Sequence, residues 1–263
     1  MSIKKKEQAK ILSQVQLAPS IYDLWLETSL ATEARAGQFI GVYPRNGAHL
    51  LPRPISICEI NKEKKALRIV YRVAGSGTDE FSKWEAGEGA EVLGVLGNGF
   101  PVAEAVGKKV VLLGGGIGIP PMLQLAKELA AQTTSMAPRI IAGYRDSQLF
   151  LKEDLEQYGQ VYIATEDGSV GTKGNVLIAM EQEHIEADIV MACGPMPMLR
   201  AIKAYAKEHQ IKAYISLEER MACGVGACLG CVCKTKNVDE HSHVHNARIC
   251  TDGPVFDAEE VEI

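Results

Sequence analysis

Two rhythms of apolar and polar residues divide the chain. Over the first hundred residues the period is two. Tyr22, Leu24 and Leu26 alternate with Asp23, Trp25 and Glu27; Leu67, Ile69, Tyr71 and Val73 alternate with Arg68, Val70 and Arg72. Such alternation predicts strands with one buried face. Gly and Pro interrupt the region often, at Gly37, Gly41, Pro44, Gly47, Pro52, Pro54, Gly75, Gly77, Gly87 and Gly89. Short strands with frequent turns predict an antiparallel barrel. From about residue 108 the rhythm changes. Residues 110–113 form a continuous apolar run, as a strand buried on both faces requires. Met122, Leu125, Ala126 and Leu129 then recur at helical spacing. Further strands are predicted over 139–142, 161–164, 188–192 and 213–216, most of them separated by helical segments. That order predicts a doubly wound parallel sheet.

Composition adds bounds. The 263 residues leave room for two compact domains and a small appendage, and 46% hydrophobic content supplies a core. Net charge is -5, with no basic stripe, so nucleic acid is not an expected partner. The Lys4-Lys5-Lys6 triplet reads as a solvated terminus, and no apolar segment follows it to make a secretory signal. No apolar run reaches 18 residues, so no transmembrane helix is expected. The seven cysteines are odd in number and clustered, which points to metal binding in a reducing compartment.

Candidate chemistry starts with those cysteines. Cys223, Cys228 and Cys231 stand in a C-x4-C-x2-C run, with Cys250 further on. This is the plant-type spacing for a [2Fe–2S] cluster, in which each iron takes two protein sulfurs. Structural zinc on four cysteines is the rival, although zinc sites more often show two short knuckles. Cys233 lies two residues past Cys231, and in a strand its side chain points to the other face. His241, His243 and His245 fall between Cys231 and Cys250; they read as a polar loop, with a Rieske-type centre as the alternative. Upstream, Gly114-Gly115-Gly116-Ile117-Gly118-Ile119-Pro120-Pro121 joins the first apolar strand to a helix. Strand, glycine turn and helix N-terminus together suit a pyrophosphate. In the barrel region Arg53-Pro54-Ile55-Ser56 offers a guanidinium and a hydroxyl to a phosphate. Gly75-Ser76-Gly77-Thr78 offers a glycine-rich turn, with Thr78 expected to cap a helix starting at Asp79. A surface arginine and an ordinary turn are the bland readings of these two stretches.

The R-P-I-S-I stretch followed by G-S-G-T resembles the flavin barrel of the ferredoxin–NADP reductase superfamily. The resemblance implies FAD contacts from Arg53, Pro54, Ile55, Ser56, Val70, Tyr71, Arg72, Gly77 and Thr78. Leu96-Gly97-Asn98-Gly99-Phe100 resembles the barrel-closing segment. The G-x-G-I-x-P turn resembles the superfamily's pyridine-nucleotide domain, which implies NAD contacts from Gly114, Gly115, Gly116 and Gly118. Cys193-Gly194-Pro195-Met196-Pro197-Met198 resembles its C-G-P-x-x-M segment beside the nicotinamide, against a bland reading of Cys193 as a buried small hydrophobe. Glu166-Asp167-Gly168 resembles another loop of that domain. Gly143-Tyr144-Arg145-Asp146 offers both an arginine for NADP and a carboxylate for NAD. The string from Ser216 to Cys233 resembles the electron-transfer subunits of NAD-using (class 1B) dihydroorotate dehydrogenases.

That family implies a fold of three parts: an N-terminal FAD-binding β-barrel over 1–101, an NAD-binding α/β domain over 102–212, and a small [2Fe–2S] domain over 213–263. It implies Cys223, Cys228, Cys231 and Cys250 as cluster ligands. It implies an FMN-containing catalytic subunit as partner, in a heterotetramer of two of each, with cytoplasmic location. Electrons would pass from FMN through the cluster and FAD to NAD+, in pyrimidine biosynthesis. A similar subunit of a ferredoxin–NAD(P) reductase or hydrogenase-type complex is one alternative, and a non-enzymatic iron–sulfur or zinc regulatory module is another. The superfamily often ends in an aromatic residue stacked on the flavin; the sequence here closes Glu260-Val261-Glu262-Ile263 and names no residue for that face.

Overall fold

The computed structural model describes residues 4–132, 137–238 and 243–263. Six antiparallel strands form the predicted barrel: β1 (Lys5–Ala18), β2 (Ile21–Glu27), β3 (Phe39–Val42), β4 (Arg53–Asn61), β5 (Ala66–Arg72) and β6 (Gly89–Leu96). They close in the order β1-β2-β5-β4-β3-β6. The β2/β5 register sets Leu24 opposite Ile69 and Leu26 opposite Leu67. All four are fully buried, as the period-two pattern requires.

The opposite face of β2 and β5 departs from that pattern. Asp23 and Arg68 should face water, yet both are buried. The cause is non-local. The nucleotide-binding half covers this face, and its Asp154 reaches Arg68 at 2.8 Å while Lys127 reaches Glu59 at 2.8 Å. A second departure concerns the expected cap. α1 (Ser76–Phe81) begins earlier than predicted, with Gly75 in the capping position. Thr78 is its third residue, and its hydroxyl folds back to accept from Ala74 N and Gly75 N. The small Gly75 cannot cap with a side chain, so the threonine serves from inside the first turn.

The second half is a seven-stranded sheet. Its strands are β7 (Val110–Gly115), β8 (Arg139–Tyr144), β9 (Gln160–Thr165), β10 (Thr172–Lys173), β11 (Ile189–Cys193) and β12 (Lys212–Ser216), joined by β15 (Val255–Asp257) from the chain's end. The order is β10-β9-β8-β7-β11-β12-β15. All pairs are parallel except β12 with β15. Helices α2 (Pro120–Gln132), α3 (Lys152–Glu156), α4 (Val176–Gln182) and α5 (Met196–Glu208) cover it. β7 is buried along its whole length, and Met122, Leu125, Ala126 and Leu129 of α2 bury their predicted stripe. Between β12 and β15 the chain makes a cysteine loop and a two-stranded hairpin, β13 (Val232–Lys234) with β14 (Asn246–Arg248). Among the described residues no helix is long and apolar enough to cross a membrane.

Candidate functional site

The barrel, the nucleotide sheet and the tail meet at a cleft of about 760 Å³. Clefts of about 300–1,000 Å³ are the size that holds cofactors and other small ligands. Arg53, Pro54, Ile55 and Ser56 line it from β4; Val70, Tyr71 and Arg72 line it from β5; Thr78 lines it from α1. Gly77 stands behind this wall. A Cβ there would lie 2.6 Å from Arg53 Nε, so the glycine lets the guanidinium lie flat against the helix start. Arg53 Nη1 donates to the Leu51 carbonyl at 2.6 Å. Among the described residues neither Arg53 nor Arg72 pairs with a carboxylate, although both border the cleft. Two uncompensated guanidiniums fit an anionic pyrophosphate. Tyr71 stacks on Tyr22 with ring centroids 5.9 Å apart, and burial raises its phenol pKa.

The glycine turn and the Cys193 turn sit at the carboxyl ends of neighbouring strands, with Cys193 opposite Gly114. They are packed tightly together. A Cβ on Gly118 would lie 2.3 Å from the Cys193 carbonyl oxygen. One on Gly115 would lie 2.5 Å from Met198 Sδ and 3.2 Å from Pro195 Cδ, and one on Gly194 2.5 Å from Met198 Cε. These glycines therefore serve turn-to-turn contact. Within the Gly114–Gly118 turn, Gly116 combines a positive φ of 54° with open space, its nearest neighbour being Arg72 at 3.6 Å. Ile117 of the same turn lines the cleft. Cys193 is fully buried; burial raises its thiol pKa, and the Glu218 charge adds to that.

The sequence left one wall of the cleft unassigned. The structure supplies Ser216, Leu217, Glu218, Glu219, Arg220 and Met221, which run from the end of β12 along the cleft to the cysteine loop. Glu218 opens onto the cleft but is surrounded by protein on its other sides, and that desolvation pushes its carboxyl up. The signal was the string S-L-E-x-x-M, which marks the family but does not say which way the segment faces.

In the loop itself the thiols lie close together. Cys223 interacts with Cys228, and Cys231 with Cys250, with Cys223 also acting on Cys250. Cys223 Sγ accepts from Val225 N and Cys228 N at 3.4 Å, and Cys228 Sγ accepts from Gly230 N at 3.4 Å. Burial raises the Cys223 pKa, but these N–H donors outweigh it and bring the thiol to about 7. Burial and the neighbouring Cys231 push Cys250 up to about 12. Gly224 and Gly226, with φ of 68° and 82°, turn the backbone toward the sulfurs. Among the described residues no three His, Cys, Asp or Glu side chains converge on one point. Four thiols on this loop and the turn after β14 suit a [2Fe–2S] cluster, in which each iron takes two protein sulfurs.

Cys233 stands apart, on β13, where burial pushes it up to about 11. His245 Nδ1 is 2.9 Å from the Lys236 carbonyl and His243 is exposed; His241 lies outside the described residues. At the far end of the sheet Glu166 N donates to the Tyr144 carbonyl and Asp167 N to the Arg145 carbonyl. This sets the two turns side by side, while Asp146 Oδ1 accepts from Gln148 N and Asp167 Oδ1 from Ser169 N at 2.9 Å each.

Comparison with known proteins agrees with this geometry. The family described as the iron-sulfur cluster binding domain of dihydroorotate dehydrogenase B matches residues 218–262, and the oxidoreductase NAD-binding domain family matches 112–204. The chain is 41% identical over 258 residues to the dihydroorotate dehydrogenase B (NAD(+)) electron transfer subunit of Listeria monocytogenes, covering 97% of this chain and 98% of that one. It is 41% identical over 251 residues to the subunit of the same name from Streptococcus pneumoniae, covering 95% and 96%. A solved NADH-dependent reduced ferredoxin-NADP oxidoreductase, described for flavin-based electron bifurcation, superposes with a TM-score of 0.84 at 28% identity, covering 97% and 89%. A Neisseria gonorrhoeae ferredoxin NADP+ reductase with bound FAD and NADP shares the fold at a TM-score of 0.66 and 18% identity, covering 82% and 94%.

Proposed function

This chain belongs to the family of dihydroorotate dehydrogenase B (NAD(+)) electron transfer subunits, and from that premise we propose that it relays electrons from a dihydroorotate-oxidising catalytic subunit to NAD+, for pyrimidine (UMP) biosynthesis. The observation that carries the reading is the continuous wall from Ser216 to Met221. It borders the cleft and enters the cysteine loop two residues later.

In this reading Arg53 and Arg72 hold the pyrophosphate of FAD, with Ser56 and Thr78 beside them. Pro54, Ile55, Val70 and Tyr71 form the apolar walls for the flavin ring. Gly77 makes room for Arg53. Gly116 leaves open space at the nucleotide turn, Gly115, Gly118 and Gly194 let that turn and the Cys193–Pro195 turn lie together, and Gly114 makes room for Ile119 and Met122. Cys193 shapes the nicotinamide end as a neutral, buried thiol. Cys223, Cys228, Cys231 and Cys250 would hold the [2Fe–2S] cluster. Bound there, FAD couples the two-electron chemistry of nicotinamide to the one-electron chemistry of the cluster. The nicotinamide cofactor is NAD, as the names of the relatives and the NAD-binding family match support.

The division of labour is 1–101 for the flavin barrel, 102–212 for the nucleotide domain and 213–263 for cluster binding, the last sharing β12 and β15 with the nucleotide sheet. The partner carries FMN, in an assembly of two of each subunit, in the cytoplasm. Its docking face is the cluster loop and hairpin, where Val225, Leu229, Val232, Val238 and Val244 are exposed.

The test is reconstitution. The FAD- and cluster-loaded protein, mixed with a candidate FMN-containing catalytic subunit, is expected to reduce NAD+ when dihydroorotate is added. Loaded protein that binds this subunit and gives no NADH sinks the assignment. The likeness to the bifurcating oxidoreductase favours a second reading, a ferredoxin-linked reductase subunit. NADH oxidation with ferredoxin in place of the catalytic subunit distinguishes it.

A further inference from the structure

The Lys4-Lys5-Lys6 triplet reads as a solvated terminus, yet Lys5 and Lys6 open β1, paired with Gly94 and Leu93, and only their side chains reach solvent. Lys5 Nζ lies 2.6 Å from Glu7 and Lys6 Nζ 2.8 Å from Glu91, both on half-exposed side chains. Lys4 differs. It is half-buried, and its Nζ donates to the Val95 carbonyl at 3.1 Å. Among the described residues it has no carboxylate partner.

Val95 lies at the end of β6, and this strand end also seats the cysteine loop. Gly97 N donates to the Cys250 carbonyl at 3.1 Å. On the other side of the loop, a Cβ on Gly224 would lie 3.1 Å from Leu96 Cδ1. Lys4 therefore sits where the barrel meets the cluster-binding cysteines. Burial lowers its ammonium pKa. Of the other charges near the cysteines, Arg248 pairs with Asp252, its Nε and Nη2 reaching the carboxylate at 2.9 and 3.2 Å, while Glu218, Glu219 and Arg220 stand on the segment that leads into Cys223.

We propose that Lys4 is a fixed cation that raises the reduction potential of the [2Fe–2S] cluster on Cys223, Cys228, Cys231 and Cys250, an inference that rests on the cluster reading above. Reduction adds one electron, and so one negative charge, to a site already ringed by four thiolates. A neighbouring positive charge stabilises that form more than the oxidised one. Partial burial keeps salt from screening the effect away. Net charge is one of the quantities that set a cluster's potential, and solvent exposure is another. Lys4 thus eases the entry of electrons from the partner into this chain.

The experiment is a redox titration of the loaded full-length protein, with dithionite as reductant. The electron paramagnetic resonance signal of the reduced cluster and the visible absorbance of the flavin are followed together. Lys4→Met is expected to lower the cluster midpoint so that the oxidised-to-reduced ratio at a given potential rises roughly tenfold, about 59 mV for a one-electron couple. Lys4→Arg keeps the charge and is expected to stay at the wild-type midpoint, as is Lys5→Met. Lys4→Gln keeps a donor for Val95 and gives the same readout if Lys4→Met loses its cluster. An unmoved midpoint in the neutral variants overturns the proposal. A raised one overturns it as well, because a loosened and wetter loop stabilises the more highly charged reduced form. Wild-type protein without the cluster signal removes the cluster reading and this inference together; an intact cluster with an unmoved midpoint removes this inference alone.

Discussion

Glu7 shows how much one surface carboxylate can hold. It accepts from the Thr28 and Ser29 hydroxyls and from Ser29 N, and it pairs with Lys5. Burial alone would raise its pKa. Lys5, Ser29 and Thr28 outweigh burial and bring it to about 2, from an ordinary 4.5. A depressed carboxylate stabilises the fold fully above the ordinary value, and that stability is lost as pH falls through about 2. Glu7→Gln is therefore expected to cost about 1 kcal/mol near neutrality, after allowance for solvent screening. The cost should shrink between pH 4.5 and 2. Thermal melts across that range check it, and a wild-type-to-variant difference independent of pH would refute the linkage.

Elements show where sequence patterns reach and where they stop. The β7 run and the α2 stripe were legible because burial there follows from neighbours along the chain. The outer faces of β2 and β5 were not. Asp23 and Arg68 look like solvent positions until a second sheet and its helices cover them. Arg68 then becomes the hub of a network: bidentate to Asp23 at 2.9 and 3.0 Å, with Glu59 at 3.3 Å and Asp154 at 2.8 Å. Removing the guanidinium strands a buried carboxylate. Arg68→Met is expected to cost about 3–5 kcal/mol in a urea melt. Asp154→Asn, on the partly exposed arm, should cost about 1 kcal/mol. Equal losses for the two variants would contradict the hub arrangement. The candidate site divides in the same way. The motifs beside Arg53, Gly114 and Cys223 showed as local strings, whereas the wall from Leu217 to Met221 depended on how three parts of the chain meet.

For the whole molecule, the side chain of Asn98 makes three of the bonds that join the barrel to the tail. Asn98 Nδ2 donates to the Asp252 and Val255 carbonyls at 2.9 Å each, and its Oδ1 accepts from Val255 N at 3.1 Å. Gly97 N and Asn98 N add bonds to the Cys250 and Gly253 carbonyls. The segment after β6 thus grips the stretch that carries the fourth cysteine. Asn98→Ala is expected to cost about 1–3 kcal/mol through stranded backbone groups. Backbone amides of 250–257 should exchange faster, and the cluster should bleach sooner under a chelator while FAD stays bound. Unchanged exchange in that stretch would remove Asn98 from this role.

β15 has a consequence of another kind. The sheet runs parallel as far as β12, and without β15 the flank of β12 would present a row of unpaired N–H and carbonyl groups. Such a flank is a template for pairing with another chain. The last strand covers it with three residues, Val255 to Asp257, running the other way. The chain's end therefore guards against unwanted self-association, and a protein shortened before Val255 would expose a sticky seam as well as a weakened cluster site.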